Sequence, residues 1–580
     1  METFYTDERN TQILIGLMKA HKIKKVVASP GTTNICLVAS LQQDSYFEIY
    51  SSVDERSAAY IACGLAAESG EAVALSCTGA TASRNYLSGL TEAFYRKLPI
   101  LAITSTQHMG RVGHNIPQVI DRSTPLNDIA KLSVQIPTIH SADDEWAYSV
   151  MLNKALLALN HHGGGPVHVN LTTTYSENFS VRELPTVKVI NRICYGDSLP
   201  DLKLEKKVGI FVGNHKKWES KLTEAVDTFC EIYDGVVLCD HTSNYKGKYR
   251  VNPCLLLNQE RYRTSVANMD VLIHIGDISG AYVNINAKEV WRVNPDGEIR
   301  DTFQKLRYVF EMEEKDFFES YIKLVPIGDP KDDFLTEWKN ECKKVAEKVP
   351  DLPFSNAWIA RNTVSHLPEN SVLHLGILNS LRAWNFYEMP ESVLGYSNTG
   401  GFGIDGILSS LLGASLTDRN KLYFGVIGDL AFFYDMNALG NRHVANNLRL
   451  IIVNNGCGAE FQNYNHKAAR FGDEAKVYMA AAGHYGNKSP KLIQHYTQDL
   501  GFEYLCASTK EEYLKNMEYF LVPHITDKPI VFEVFTDSVD ESNALKILHN
   551  LEASTLGSAK QMAKEVLGEK GIQVLKKFIK

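Results

Sequence analysis

The sequence predicts an α/β protein of three doubly wound parallel-sheet domains, and three observations carry that reading. Short runs rich in Val, Ile and Leu are near-continuously apolar rather than alternating, as strands buried on both faces require. Helical patterns separate these runs, so successive strands are joined by crossovers and run parallel. The chain has 580 residues, several times the ordinary domain length of roughly 100–150 residues, and its runs fall into three series.

The first series is KKVVASPG (24–31), AVALSCTG (72–79), PILAITST (99–106) and PVHVNL (166–171). The second is VGIFVGN (208–214), GVVLCD (235–240), VLIHIGD (271–277) and VWRVNP (290–295). The third is SVLHLG (371–376), LYFGVIGD (422–429), LRLIIVNN (448–455) and IVFEVFT (530–536). Two seams divide them: ENFSVRELPTVKV (177–189), where Pro185 follows a polar stretch, and IGDPKDDF (327–334), which opens a charged connector. The expected domains are residues 1–183, 190–328 and 350–545, with a helical segment over 546–580. No short-period repeat is present, but the first and third sheets suggest related halves. From Leu556 to Lys580, six lysines and two glutamates surround apolar residues. That pattern reads as an amphipathic helix docked on the last domain; Gly568 and Gly571 interrupt it, which argues against a membrane-surface helix.

Sixty Lys and Arg against 68 Asp and Glu give a net charge of −8, with 44% hydrophobic and 22% charged residues. These proportions exclude disordered and fibrous classes. Without a basic block there is no electrostatic footprint for nucleic acid. No apolar run is long enough to span a bilayer, and Met1 to Asn10 is too polar for a secretory signal, so the expected location is cytoplasmic. Ten cysteines scatter without a C-x-x-C pair, which reads as reduced, buried thiols.

Chemistry concentrates at strand ends. Gly428, Asp429 and Leu430 close one buried run, and Asn454, Asn455 and Gly456 close the next. In open α/β sheets ligands bind outside the carboxyl ends of strands. An Asp carboxylate and an Asn amide oxygen are hard donors suited to Mg²⁺, and small neighbours let backbone N–H groups approach a diphosphate. Alone, the pattern equally describes a capped strand end and an Asn-Asn-Gly turn. In SSVDERSAAYIACGLAAESG (51–70), Glu55 follows a short strand and heads an Ala-rich helix. Alone, Asp54, Glu55 and Arg56 equally describe a charged helix N-terminus.

Taken with CTGATASRNYLSGLTEAFYRKLPILAIT (77–104), the Glu55 stretch resembles the pyrimidine-binding domain of thiamine-diphosphate enzymes of the acetolactate synthase and pyruvate decarboxylase type. The GDL and VNNGCG segments resemble that family's diphosphate-binding domain. Within the family, ASPGTTN (28–34), VDERSAA (53–59), YSNTGGFGIDGILSSLLGAS (396–415) and GDLAFFYDMNALGN (428–441) are most similar to the menaquinone-pathway synthases of MenD type. The likeness runs through the first and third domains and is loose in the middle one.

The resemblance implies thiamine diphosphate and Mg²⁺ as cofactors. It places Glu55 on N1′ of the aminopyrimidine, Ile404 as an apolar wedge beneath a bent cofactor, and the Gly403–Ile404 backbone at the pyrimidine edge. Without the motif, Ile404 reads as a core isoleucine at a tight turn. Gly428, Leu430, Ala431 and Gly458 would line the cofactor. Asp429 and Asn455 would hold Mg²⁺ by side-chain oxygens, with the Cys457 main-chain carbonyl as third ligand. It also implies a homodimer or a dimer of dimers with active sites at the subunit interface.

The chain departs from the synthases where they place arginines, whose forked donors fit carboxylates. Thr32, Thr33 and Asn34 follow the SPG turn in place of Ser-Arg-Ser. Thr399 stands where YSNRG has its Arg. Ser279, Gly280, Ala281 and Tyr282 occupy the place of a Lys-Arg pair, and Trp384 replaces another Arg after the matching Asn379 and Ser380. Unpaired, desolvated carboxylates are costly, so a polycarboxylate substrate is disfavoured. Gln118 matches a family Gln, with His108, Arg111 and His114 in the same loop. A loop histidine is more often solvated or structural, but imidazole suits proton transfer. Phe402, Arg382 and Glu460 are further substrate-site candidates.

The expected function is a carboligase that decarboxylates a small 2-oxo acid such as pyruvate and transfers the acyl-anion unit to an acceptor of keto-sugar type. The alternatives are a simple 2-oxo acid decarboxylase releasing an aldehyde, a MenD-type synthase using 2-oxoglutarate, and a non-catalytic thiamine-diphosphate-binding protein. A flavin-using relative of acetolactate synthase is a further reading, although the middle series has no G-x-G-x-x-G.

Overall fold

The computed structural model describes residues 4–281, 283–326, 332–483 and 489–554. Tyr282, residues 327–331 of the second seam, and residues 555–580 with the expected amphipathic helix lie outside the described residues.

Each of the twelve apolar runs is a strand. In chain order the strands are β1 (Lys25–Ala28), β2 (Glu48–Ser51), β3 (Val73–Cys77), β4 (Ile100–Thr106), β5 (Leu132–Ile136), β6 (Val167–Thr172) and β7 (Asn191–Cys194). The middle series holds β8 (Val208–Val212), β9 (Gly235–Cys239), β10 (Arg250–Val251), β11 (Asn268–Ile275), β12 (Asn286–Val293) and β13 (Leu306–Glu311). The last holds β14 (Val372–Leu375), β15 (Leu394–Tyr396), β16 (Tyr423–Gly428), β17 (Leu448–Asn454), β18 (Glu503–Ala507) and β19 (Ile530–Phe535).

The chain divides into two compact units. One comprises Met1–Asp197 with Asp296–Glu311, the other Ser198–Pro295 with Met312–Lys580. In the first unit the sheet runs β2-β1-β3-β4-β6-β5, all parallel, and β13 pairs with β7. In the second unit β10-β9-β8-β11-β12 form the middle series. A separate parallel sheet there runs β15-β14-β16-β17-β19-β18. Numbered within each sheet, the first and the last share one strand order, as related halves would. In both, the direction of winding reverses between the strands that open and continue the series, β1/β3 and β14/β16.

Central strands such as β3, β4, β8 and β17 are buried along their whole length. Covered on both faces, they carry no polar alternation. Two helices over the first sheet show how composition sets packing. Glu55–Ser69 turns Ala58, Ala59, Ala62 and Ala66 inward, and a Cβ on Gly89 of Leu87–Arg96 would fall 2.4 Å from that of Ala59. Only small residues allow so close an approach, and the helix carrying Glu55 is thereby seated firmly on its neighbour. Among the described residues no helix is long and apolar enough to cross a membrane.

Candidate active site

In the first unit the crevice at the β1/β3 reversal is shaped by the turn after β1. A Cβ on Gly31 would lie 2.3 Å from that of Thr78, so the turn rests directly on the chain leaving β3. The Thr33 hydroxyl bonds that of Thr78 at 2.7 Å and donates to the Ser105 carbonyl at 3.2 Å. Asn34 Nδ2 donates to the Ser29 carbonyl at 3.0 Å and Ser76 Oγ at 3.2 Å. Thr33 and Asn34, expected at the substrate, are buried fasteners of this turn. Thr32 is exposed and, with Pro30, Gly31 and Ile35, lines an open cleft.

Glu55 is the first residue of its helix, behind the Asp54 cap, whose carboxylate accepts from the Arg56 N–H at 3.1 Å. It is half-buried, and Asn85 Nδ2 donates to its Oε2 at 3.2 Å. Asn85 was not anticipated, although it lies in the stretch that carries the resemblance. The 107–118 loop gathers His108, Arg111, His114 and Gln118, all exposed. His108 acts locally: its Nδ1 accepts from the Gly110 N–H at 3.1 Å and caps the turn Met109–Arg111. Arg111 bonds Gln107, and Gln118 sits in the left-handed region at φ 66°.

In the second unit the β14/β16 reversal carries the other half of the chemistry. Gly428 ends β16 and Asp429 opens the helix Asp429–Asp435, with Leu430 and Ala431 in its first turn. Burial pushes the Asp429 carboxyl up to about 7, against the pull of N–H groups from Leu430, Asp429, Gly456 and Asn455. Its Oδ1 is buried without a hydrogen-bond partner. A carboxylate so placed, beside the Asn455 side chain and the turn after β17, suits a divalent cation that restores the lost solvation. Asn455 Oδ1 accepts long bonds from the Cys457 N–H at 3.4 Å and the Cys457 thiol at 3.8 Å. The Cys457 thiol is pushed up to about 11 by burial, so this residue offers its carbonyl and not a thiolate. Gly458 continues the same turn. Ile404 is half-buried and packs on the core beneath β16, with Gly403 beside it. The donor set fits Mg²⁺ and a diphosphate.

The substrate-side candidates divide sharply. Arg382 Nη1 and Nη2 meet the Glu460 carboxylate at 2.9 and 3.0 Å. Asn379 Oδ1 accepts from Arg382 at 3.1 Å and from Asn463 Nδ2 at 3.0 Å, and Asn463 also donates to Glu460 at 3.1 Å. The cation is thus already engaged within a closed polar network. Trp384 is wholly buried, its indole N–H donating to Asn356 Oδ1 at 3.1 Å. Ser380 is buried and accepts from Asn356 Nδ2 at 3.1 Å. Thr399 is 1% exposed and accepts from Asn214 Nδ2 at 2.8 Å. These three side chains, expected to touch substrate, have no free surface and belong to the scaffold. Phe402 remains half-exposed in a left-handed turn at φ 53°. From the middle series, Gly280 packs so closely that a Cβ would fall 2.1 Å from Leu381 Cδ2. Asn214, the last residue of VGIFVGN, was legible only as a strand-end polar residue.

Residues 9–124 match the family model described as the thiamine pyrophosphate enzyme, N-terminal TPP binding domain. The 2-succinyl-5-enolpyruvyl-6-hydroxy-3-cyclohexene-1-carboxylate synthase of Bacteroides fragilis is 31% identical over 566 residues, 93% of this chain and 98% of its own. The synthase of the same name from Bacteroides thetaiotaomicron is 31% identical over 564 residues, again 93% and 98% of the two chains. A solved thiamine diphosphate-dependent 4-hydroxybenzoylformate decarboxylase of Rhodococcus jostii RHA1 aligns over 91% of this chain and 99% of its own, at 16% identity and a TM-score of 0.39. Sequence identity sustained along nearly the whole of both chains places this protein in the family of thiamine-diphosphate-dependent enzymes to which those Bacteroides synthases belong.

Proposed function

We propose that the enzyme is a Mg²⁺-dependent carboligase that decarboxylates a small 2-oxo acid with a neutral tail, such as pyruvate, and joins the remaining unit to a carbonyl acceptor of keto-sugar type. The observation that carries this reading is the Arg382–Glu460 pair. A guanidinium whose fork is filled by an internal carboxylate has nothing to offer a substrate's distal carboxylate. Thr399, at a position where the synthases resembled here have Arg, is neutral and buried.

When bound, thiamine diphosphate supplies the carbon nucleophile and the electron sink for loss of carbon dioxide. This chain's residues do the rest. Glu55, steadied by Asn85, holds the proton at the aminopyrimidine ring. Asp429, Asn455 and the Cys457 carbonyl would hold the cation, Gly428 to Ala431 and Gly458 would leave room for the diphosphate, and Ile404, packed on the core, would back the cofactor. His108 and His114 are the groups offered for later proton transfers, and Gln118 offers a hydrogen-bonding amide in the same loop. The assembly is a homodimer or a dimer of dimers, which analytical ultracentrifugation tests.

The names of the Bacteroides relatives favour a second reading, in which this chain makes the same 2-succinyl product. Carbon dioxide release and product mass spectrometry separate the two, using pyruvate and 2-oxoglutarate with and without isochorismate or a keto-sugar. Turnover of pyruvate with ligation to the sugar supports the proposal. Release of aldehyde alone makes the enzyme a simple decarboxylase, and efficient ligation of 2-oxoglutarate to isochorismate overturns the proposal in favour of the relatives' reaction.

A further inference from the structure

Arg122 is 4% exposed, yet its guanidinium makes one hydrogen bond, from Nη2 to the Ser105 carbonyl at 3.1 Å. Its Nε and Nη1 are buried with no partner. Among the described residues it has no carboxylate partner, and Arg84, a second cation, acts on it electrostatically. Arg84 spends one nitrogen on the Asp121 carbonyl, at 2.9 Å. Both guanidinia face a cavity of about 30 Å³, walled by Ser83, Tyr86, Thr104 and His168 among others.

The walls add no negative charge. His168 is held neutral between Thr104 Oγ1 at 2.7 Å and Ser133 Oγ at 2.8 Å. Burial, and then Arg122 and Arg84, drive its pKa down to about 3. The Tyr86 hydroxyl is buried beside the Cys77 thiol and the Ser29 hydroxyl. A water molecule in the cavity would satisfy stray N–H groups but not the charge. Removing an isolated cation from water costs several kcal/mol unless a counter-charge accompanies it. Burial accordingly pushes the Arg122 guanidinium down to about 10.

We propose that the cavity between Arg122 and Arg84 is a binding site for a monovalent anion of halide size. The volume sets the size, because one water-sized probe occupies about 10–15 Å³ and the cavity takes little more than one small ion. The chemistry sets the charge, since Arg122 Nε and Nη1 are buried donors without partners and no acidic side chain lines the cavity. The site does not depend on the reaction proposed above.

The test compares the full-length enzyme in chloride, bromide and gluconate salts at matched ionic strength. Chloride and bromide should raise the apparent Tm by a few degrees, saturating in the millimolar range, whereas gluconate, too large for the cavity, should not. In crystals grown with bromide, anomalous scattering should give a peak within hydrogen-bonding distance of Arg122. Arg122→Met, which keeps the stem and removes the charge, should abolish the halide dependence. A wild-type Tm that does not distinguish chloride from gluconate, together with no bromide peak, overturns the proposal. Halide dependence that persists unchanged in Arg122→Met also overturns it; should that variant fail to fold, the wild-type Tm comparison and the bromide peak decide.

Discussion

Asn85 donates its amide to Glu55 Oε2 at 3.2 Å, tying the carboxylate to the helix that follows β3. The bond leaves the other oxygen of Glu55 available to a cofactor ring nitrogen. Glu55→Gln should keep the fold and bind thiamine diphosphate while losing about 10²- to 10⁴-fold in turnover, the usual contribution of a general acid or base. Asn85→Ala should lose less, because the carboxylate remains. Steady-state rates with cofactor titrations check both, and normal turnover in the Glu55→Gln variant would remove Glu55 from the mechanism.

Asp429→Ala should weaken Mg²⁺ and thiamine diphosphate together, since it removes the one charged donor from the cation site. Asp429→Asn should retain part of the affinity. Calorimetric titration distinguishes these outcomes, and unchanged cofactor affinity in Asp429→Ala would reduce the residue to a strand terminus.

Glu460→Gln releases the Arg382 guanidinium from its internal counter-ion. The ratio of kcat/KM for 2-oxoglutarate over pyruvate should rise about ten-fold or more, corresponding to one charge-assisted hydrogen bond of roughly 1.5–3 kcal/mol. Adding Arg382→Ala should cancel the gain. An unchanged ratio in Glu460→Gln would place the specificity elsewhere.

Four buried histidines govern acid stability. Burial is the main cause lowering His168 to about 3 and His241, His374 and His549 to about 4. Their unfolded value is near 6.5, so the unfolded chain binds protons that the folded one refuses. The histidine contribution is complete above pH 6.5 and falls below it, by about 1.4 kcal/mol per histidine per pH unit, against a smaller opposite contribution from the buried Glu541 carboxyl, pushed up to about 7. Denaturation midpoints between pH 7.5 and 5.5 should drop, with His168→Gln reducing the slope. A flat profile would show that these rings become charged within the folded protein.

Legibility in the sequence followed burial. The twelve anticipated strands lie mostly at sheet centres, where neither face meets water and the residues read as plain apolar runs. Edge strands were missed: β5, β7 and β18 are only partly buried, and with one side open their sequences LSVQI, NRIC and EYLCA mix polar and apolar residues. Asp429 and Asn455 were legible as strand-end residues, and the resemblance of their motifs to the family, not their types alone, pointed to a cation. The substrate side was not legible, since Thr33, Ser380, Thr399 and Trp384 are polar or amphipathic residues whose partners come from distant segments. Only the fold shows that Asn214 and Asn356 already occupy them. Arg122 went unnoticed for the same reason, as a sequence does not display the absence of a counter-ion.

The strand order shared by the first and last sheets has a bearing on how this enzyme can be altered. In the first sheet the loop after β2 leads into Glu55, and in the last the loop after β16 leads into Asp429. Selectivity can therefore be rewritten in loop sequence, at residues such as Thr32, Phe402 and Glu460, while the sheets are inherited intact. Library design for new donors should spend its diversity there and leave Ala59 and Gly89 fixed, because the helix contact beneath Glu55 has no spare volume to absorb a change.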